Sequence, residues 1–153
     1  MKKGQIICGF PAIGKSTLAK HKNYIDLDSS LFTIQSNNGA EKNSNWVITY
    51  INVAKMLANK GFTVFISTHS EVRNYLKEKE IEFTVIYPKL ELEEAWIERL
   101  RQRFEQSGKD ADFRAFRFIQ NNYKNAVVEL QIEKKRIEIE SMDYSLIDLI
   151  ERK

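Results

Sequence analysis

The stretch Gln5-Ile6-Ile7-Cys8-Gly9-Phe10-Pro11-Ala12-Ile13-Gly14-Lys15-Ser16-Thr17 decides how the rest of the chain is read. Gly9 to Ser16 satisfies G-x-x-x-x-G-K-[ST] at every fixed position, the spacing of a loop that wraps a phosphate. Glycines let the backbone approach the anion so that successive N–H groups turn inward, and a helix beginning near Gly14 would aim the positive end of its dipole at the same charge. Lys15 supplies a mobile cation for β- and γ-phosphates, Ser16 a hydroxyl for Mg²⁺ and Thr17 a donor for the α-phosphate, while Gly9, Ala12, Ile13 and Gly14 complete the cradle. The flanks suit this mechanism. Gln5 to Cys8 is a short apolar run that reads as a buried strand, and Lys15 to Lys20 reads as a helix.

Working outward, Tyr24 to Asp28 predicts a second strand that turns acidic at its end, followed by a mostly polar loop, Ile34 to Ala40. Apolar spacing over 44–60 predicts a helix with Asn43 or Ser44 as N-cap and Gly61 as its stop. Thr63 to Ser67 predicts strand three, 71–79 a short helix, and Phe83 to Tyr87 strand four, ended by Pro88. Leu92, Trp96, Leu100 and Phe104 mark one buried stripe of a helix over 91–106 that stops at Gly108. A second long helix runs from about Asp112 to Gln131, with Phe116, Ile119, Tyr123, Val127 and Leu130 on one face. Arg136 to Ile139 is a candidate fifth strand, and Tyr144 to Glu151 a closing turn or two of helix. Strands alternating with helices predict an α/β fold, a five-stranded parallel sheet covered on both faces by right-handed crossovers.

A chain of 153 residues fits a single domain over 1–153. Its 42% hydrophobic and 29% charged residues exclude a disordered or fibrous class. A net charge of +3 favours anionic ligands weakly and falls short of the concentrated basic stripe of a duplex-binding module. No apolar run approaches a membrane span, and Met1 to Cys8 reads as neither signal peptide nor anchor. The lone Cys8 reads as a buried small residue in a reducing compartment, so a cytoplasmic location is the expectation.

Three parts of the sequence taken together, Gly9 to Thr17, the acidic Ile25-Asp26-Leu27-Asp28-Ser29-Ser30 and the arginine-bearing helix around Arg99 to Arg103, resemble the small P-loop kinases of the nucleoside and nucleotide kinase kind, adenylate-kinase-like and polynucleotide-kinase-like members among them. The resemblance implies a three-layer P-loop NTPase fold with a short helical lid, here about 99–117. It implies transfer of the ATP γ-phosphate to a nucleotide or nucleoside, with ATP and Mg²⁺ required. Lid arginines of such kinases fold over the transferring phosphoryl group, which places Arg99 and Arg103 in a catalytic role beside Lys15. Arg114 and Arg117 would form a second side of the lid, across a flexible Gln106 to Asp110 segment.

Asp26 and Asp28 stand two apart and would share a face of a strand. Asp28 is assigned to contact and activate the acceptor, and Asp26 with Ser16 to the metal; helix capping by Asp28 or Ser29 is the competing reading. Arg99 and Arg103 at i,i+4 also fit plain complementation of the dipole of a helix that begins with Glu91, Glu93 and Glu94. Ser67-Thr68-His69 carries no acidic residue at the end of strand three, which moves the metal role onto Ser16 with Asp26 or Asp28. His69 reads first as a local hydrogen-bonding residue, and Arg73 as a ligand for an acceptor phosphate. Phe32, Trp46 and Tyr50 read as core before base-stacking. A 5′-hydroxyl polynucleotide kinase acting on single-stranded nucleic acid and a non-enzymatic nucleotide-dependent switch are the alternatives to a nucleoside monophosphate kinase-like activity.

Overall fold

The computed structural model describes residues 4–29, 32 and 45–151. Most of the polar segment between Leu31 and Asn45, including Lys42 and the expected cap residues Asn43 and Ser44, lies outside the described residues. Strands β1 (Gln5–Gly9), β2 (Tyr24–Asp26), β3 (Thr63–Ile66), β4 (Thr84–Pro88) and β5 (Arg136–Ile139) build a five-stranded parallel sheet in the order β2-β3-β1-β4-β5. The helices are α1 (Lys15–Leu18), α2 (Trp46–Asn59), α3 (Ser70–Glu78), α4 (Glu93–Ser107), α5 (Asp110–Gln131) and α6 (Leu146–Glu151), so the chain is α/β as expected. None of the described helices is long and apolar enough to cross a membrane. The backbone divides into two compact units: residues 1–9 with 15–84, and residues 10–14 with 85–153.

In the first unit β1 and β2 both pair with β3, Ile7 opposite Phe65 and Ile25 opposite Val64. Ile6, Ile7, Cys8, Val64, Phe65 and Ile66 are all buried, the continuous apolar run of parallel strands covered on both faces. Helix α2 buries Trp46, Tyr50, Ala54 and Ala58, one residue per turn, together with Ile51. It ends where Gly61 takes a φ of +100°, with the Gly61 N–H on the Ala58 carbonyl and the Phe62 N–H on that of Leu57. A side chain at Gly4 would meet the Phe62 carbonyl oxygen at 1.9 Å, so only glycine lets the chain enter β1 this close to the end of α2.

In the second unit β4 and β5 pair in register from Val85 opposite Arg136 to Pro88 opposite Ile139. Helix α4 buries Trp96 and Leu100 of the expected stripe, with Leu92 and Phe104 half-buried, and α5 buries Ile119, Tyr123, Val127 and Leu130, with Phe116 half-buried. The two form an antiparallel hairpin whose turn is set by Gly108, left-handed at φ +65°, its N–H on the Phe104 carbonyl. Asn122 leaves helical geometry at φ −136° and kinks α5. The Asn121 and Asn122 amides donate to the Arg117 and Phe118 carbonyls one turn back, and such side-chain competition for helix carbonyls bends helices.

Three expectations change. Helix α1 is a single turn, with the chain turning at Ala19 and Lys20 where the helix was expected to continue. Strand β2 stops at Asp26, so the shared strand face that joined Asp26 to Asp28 is not formed. The expected flexible segment 106–110 is a two-residue connection held by side chains: Ser107 donates to Asp112, Arg103 pairs with Asp112 at 3.3 Å, and Phe104 packs on Phe113 at 4.9 Å.

Candidate functional site

The glycine loop leaves β1 at Gly9 and enters α1 at Lys15. Along it Ala12 has φ +70° and Gly14 φ +112°, while Ile13 between them keeps the ordinary sign. Backbone of alternating hand turns consecutive N–H groups toward one side and forms a concave nest for an anion. The opposite side of the same peptides must then present carbonyls, and each of three in a row has a partner. Trp96 donates its indole N–H to the Pro11 carbonyl at 2.9 Å, Arg99 its Nη1 to that of Ala12 at 3.2 Å, and Tyr144 its hydroxyl to that of Ile13 at 2.8 Å. Phe10 anchors the start of the run: its N–H bonds the Ile86 carbonyl, and its ring meets Trp96 and Tyr123 edge-on.

Trp96 and Arg99 reach the loop together because residues three apart on a helix share a face. The Arg99 guanidinium lies 4.6 Å from the Trp96 ring centroid and 5.4 Å from that of Tyr144, and the two rings are stacked within 21° of parallel. Arg99 also donates to the Tyr144 hydroxyl at 2.7 Å, so both ends of the clamp are cross-linked. Burial pushes the Tyr144 phenol above its ordinary pKa, with the neighbouring Arg99 charge pulling the other way. Arg99, expected as a catalytic lid arginine, is engaged by the Ala12 carbonyl and the Tyr144 hydroxyl. Arg103 spends its charge on Asp112 within the hairpin, and Arg101 on Glu98 and Glu105.

In the first unit, the Lys15 ammonium donates to the Gly9 carbonyl at 2.9 Å. Ser16 and Thr17 are exposed. A one-turn α1 carries little macrodipole.

Asp26 and Asp28 are also exposed, at and just beyond the end of β2. Their placement rests on Tyr50, which is wholly buried: its hydroxyl donates to the Leu27 carbonyl at 2.7 Å and accepts the Ser67 N–H at 3.0 Å. One phenol thus ties the residue between the two aspartates to the end of β3. Desolvation drives its pKa well above the ordinary tyrosine value. Ser67 in turn bonds His69 at 2.8 Å, the local role expected of that histidine. Arg73, proposed from sequence as an acceptor-phosphate ligand, is 3% exposed and donates its Nε to the Thr68 carbonyl at 2.9 Å, bracing the turn into α3. Trp46 and Tyr50 are core, as expected of them. Among the described residues no three His, Cys, Asp or Glu gather as a metal site.

The clamp of Trp96, Arg99 and Tyr144 and the Tyr50 tie were not found from sequence. The i,i+3 spacing of Trp96 and Arg99 was a usable signal for half of the clamp. No local pattern connects Tyr144 to Ile13, 131 residues earlier. Comparison with known proteins matches the chain to no family model and to no curated protein.

Proposed function

We propose that the chain is an ATP-dependent phosphotransferase with a three-layer P-loop NTPase fold, acting on a nucleotide or nucleoside in the manner of a nucleoside monophosphate kinase. The observation that carries this reading is the loop itself: alternating φ at Ala12, Ile13 and Gly14, with the carbonyls of Pro11, Ala12 and Ile13 each engaged from behind. Rigid clamping of carbonyls leaves the amide side preorganised for phosphate oxygens, so little ordering cost remains at the moment of binding.

In this reading Gly9, Ala12, Ile13 and Gly14 cradle the phosphates through their amides, Thr17 meets the α-phosphate, and Lys15 swings from the Gly9 carbonyl to the β- and γ-phosphates. Ser16, with Asp26 to one side, would hold Mg²⁺, which would supply neutralisation of phosphate charge. Asp28 orients the acceptor and, where that is a hydroxyl, takes its proton as the oxygen attacks the γ-phosphorus and the bond to the β-bridging oxygen breaks, releasing ADP. Arg73 sets the turn beside the acceptor side through Thr68. Arg103 would reach a phosphoryl group only by leaving Asp112, so phosphoryl charge is assigned to Lys15. A cytoplasmic location follows from this reading, since ATP is there and the buried thiol of Cys8 stays reduced.

Incubation with γ-labelled ATP and Mg²⁺ against nucleosides, nucleoside monophosphates and 5′-hydroxyl oligonucleotides tests it. Label on a nucleoside or monophosphate is the expected result. ATP binding with transfer to none of the three would make the chain a nucleotide-dependent switch instead.

A further inference from the structure

After β5 the chain bends at 141–143, passes Tyr144 and Ser145 and forms α6 (Leu146–Glu151). A helix of six residues does not persist alone in water, where about 12 to 15 are needed. Its start is capped locally, with the Asp148 N–H on the Ser145 hydroxyl at 3.3 Å and the Leu149 N–H on the Ser145 carbonyl at 3.1 Å. What holds it beyond that is tertiary. Leu146 and Ile150, one helical turn apart, are 8% and 3% exposed.

The segment meets the glycine loop at two consecutive residues. Tyr144 donates to the Ile13 carbonyl while accepting from Arg99, and Leu146 places its Cδ2 3.7 Å from where a β-carbon on Gly14 would stand. The Ile13 carbonyl and the Gly14 N–H belong to one trans peptide and point in opposite directions. A bond made to the carbonyl from behind therefore fixes the direction of the Gly14 amide in front. The loop has its own need of support, since Ala12 holds φ +70° at the steric cost of an L-residue. Strained loop and short helix are each marginal alone, and each completes the other. Elements that share one set of contacts open and close together, and a ligand that requires one of them closed favours the closed state of both.

We propose that residues 141–151 form a strap whose docking is coupled to occupancy of the loop: phosphate binding fastens the strap, and loosening the strap releases the phosphate. This regulation rests on the reading that the loop holds the phosphates of ATP. Hydrogen exchange followed by mass spectrometry, on the full chain with and without ATP and Mg²⁺, reads the coupling. With nucleotide about a hundredfold above its Kd, opening of the strap is suppressed by up to about a hundredfold, and exchange of peptides over 141–151 should slow by up to that factor. Peptides of α3 should keep their rates, which separates coupled docking from general stabilisation. Leu146→Ala with Ile150→Ala removes the buried anchors of the strap, neither of which is assigned a phosphate contact. Exchange over 141–151 should then quicken in the nucleotide-free chain, and ATP affinity by calorimetry should fall about tenfold or more as the docked fraction falls. Should circular dichroism show that double variant unfolded, Tyr144→Phe gives the same comparison: faster exchange over 141–151 together with weaker ATP binding. ATP binding that leaves exchange over 141–151 unchanged, equal slowing in α3, or a loosened strap with full ATP affinity would overturn the proposal and leave the loop reading in place. Absence of ATP binding by the wild type would overturn both.

Discussion

Arg99 donates to the carbonyl of Ala12, a residue 87 positions earlier that sits in left-handed backbone in the middle of the glycine loop. The loop is thus held in its concave form from behind, by a cation that lies beside the Trp96 and Tyr144 rings. Arg99→Ala removes the charged donor and leaves a carbonyl without it, a loss of about 1.5 to 3 kcal/mol. Nucleotide affinity should fall by about tenfold to a hundredfold, as read by titration calorimetry. Tyr144→Phe removes a neutral bond and should cost about 1 kcal/mol. Equal affinity in both variants would detach the clamp from binding.

Ala12 adopts φ +70° without the freedom of glycine, a conformation that costs an L-residue about 1 to 2 kcal/mol. Ala12→Gly should therefore raise stability against urea by up to about 1 kcal/mol, reduced by the extra freedom glycine has when unfolded. Gly14→Ala runs the other way. A new methyl there would meet only Leu146 at 3.7 Å, so the penalty is one of backbone strain at φ +112° and not of space. An unchanged urea midpoint in both variants would contradict the assignment of strain.

Tyr50→Phe deletes one bond donated to Leu27 and one accepted from Ser67, orphaning two backbone groups at the ends of β2 and β3. A destabilisation of about 2 to 3 kcal/mol is expected, with a rise in KM for the acceptor that exceeds any change in ATP affinity, because Asp28 lies next to Leu27. Denaturation curves and steady-state kinetics check the two halves separately.

Burial raises the phenol pKa of Tyr50, Tyr123 and Tyr144 above the ordinary value of about 10. Folding then favours the protonated phenols: their contribution is complete below pH about 10 and lost as pH rises from there toward the folded-state values. Tyrosinate absorbance should appear together with loss of helical circular dichroism above that pH. Ionisation of these three tyrosines without unfolding would show that they are not buried.

Sequence patterning made the sheet and its long helices legible, because the apolar runs of β1, β3 and β4 and the fourfold stripes of α4 and α5 are local and strong. Boundaries shifted where a tertiary bond took over from local preference, as at Asp26, where the chain leaves the strand to meet Tyr50. The glycine motif is a local pattern, and its alternating backbone at Ala12 and Gly14 is seen in the fold. The contacts of Arg99 and Arg73 were not legible, since a cation on a helix reads the same whether it faces a ligand or a backbone carbonyl. Only the fold decides that Arg99 finds Ala12 and Arg73 finds Thr68.

The central claim, that Gly9 to Thr17 holds the phosphates of ATP, is tested most directly by calorimetric titration of ATP and Mg²⁺ into the wild-type chain and into Lys15→Ala. Binding at one site by the wild type, and none detectable in the variant with its fold intact by circular dichroism, is the expected result. Equal affinity in the two proteins, or no binding to either, would contradict it.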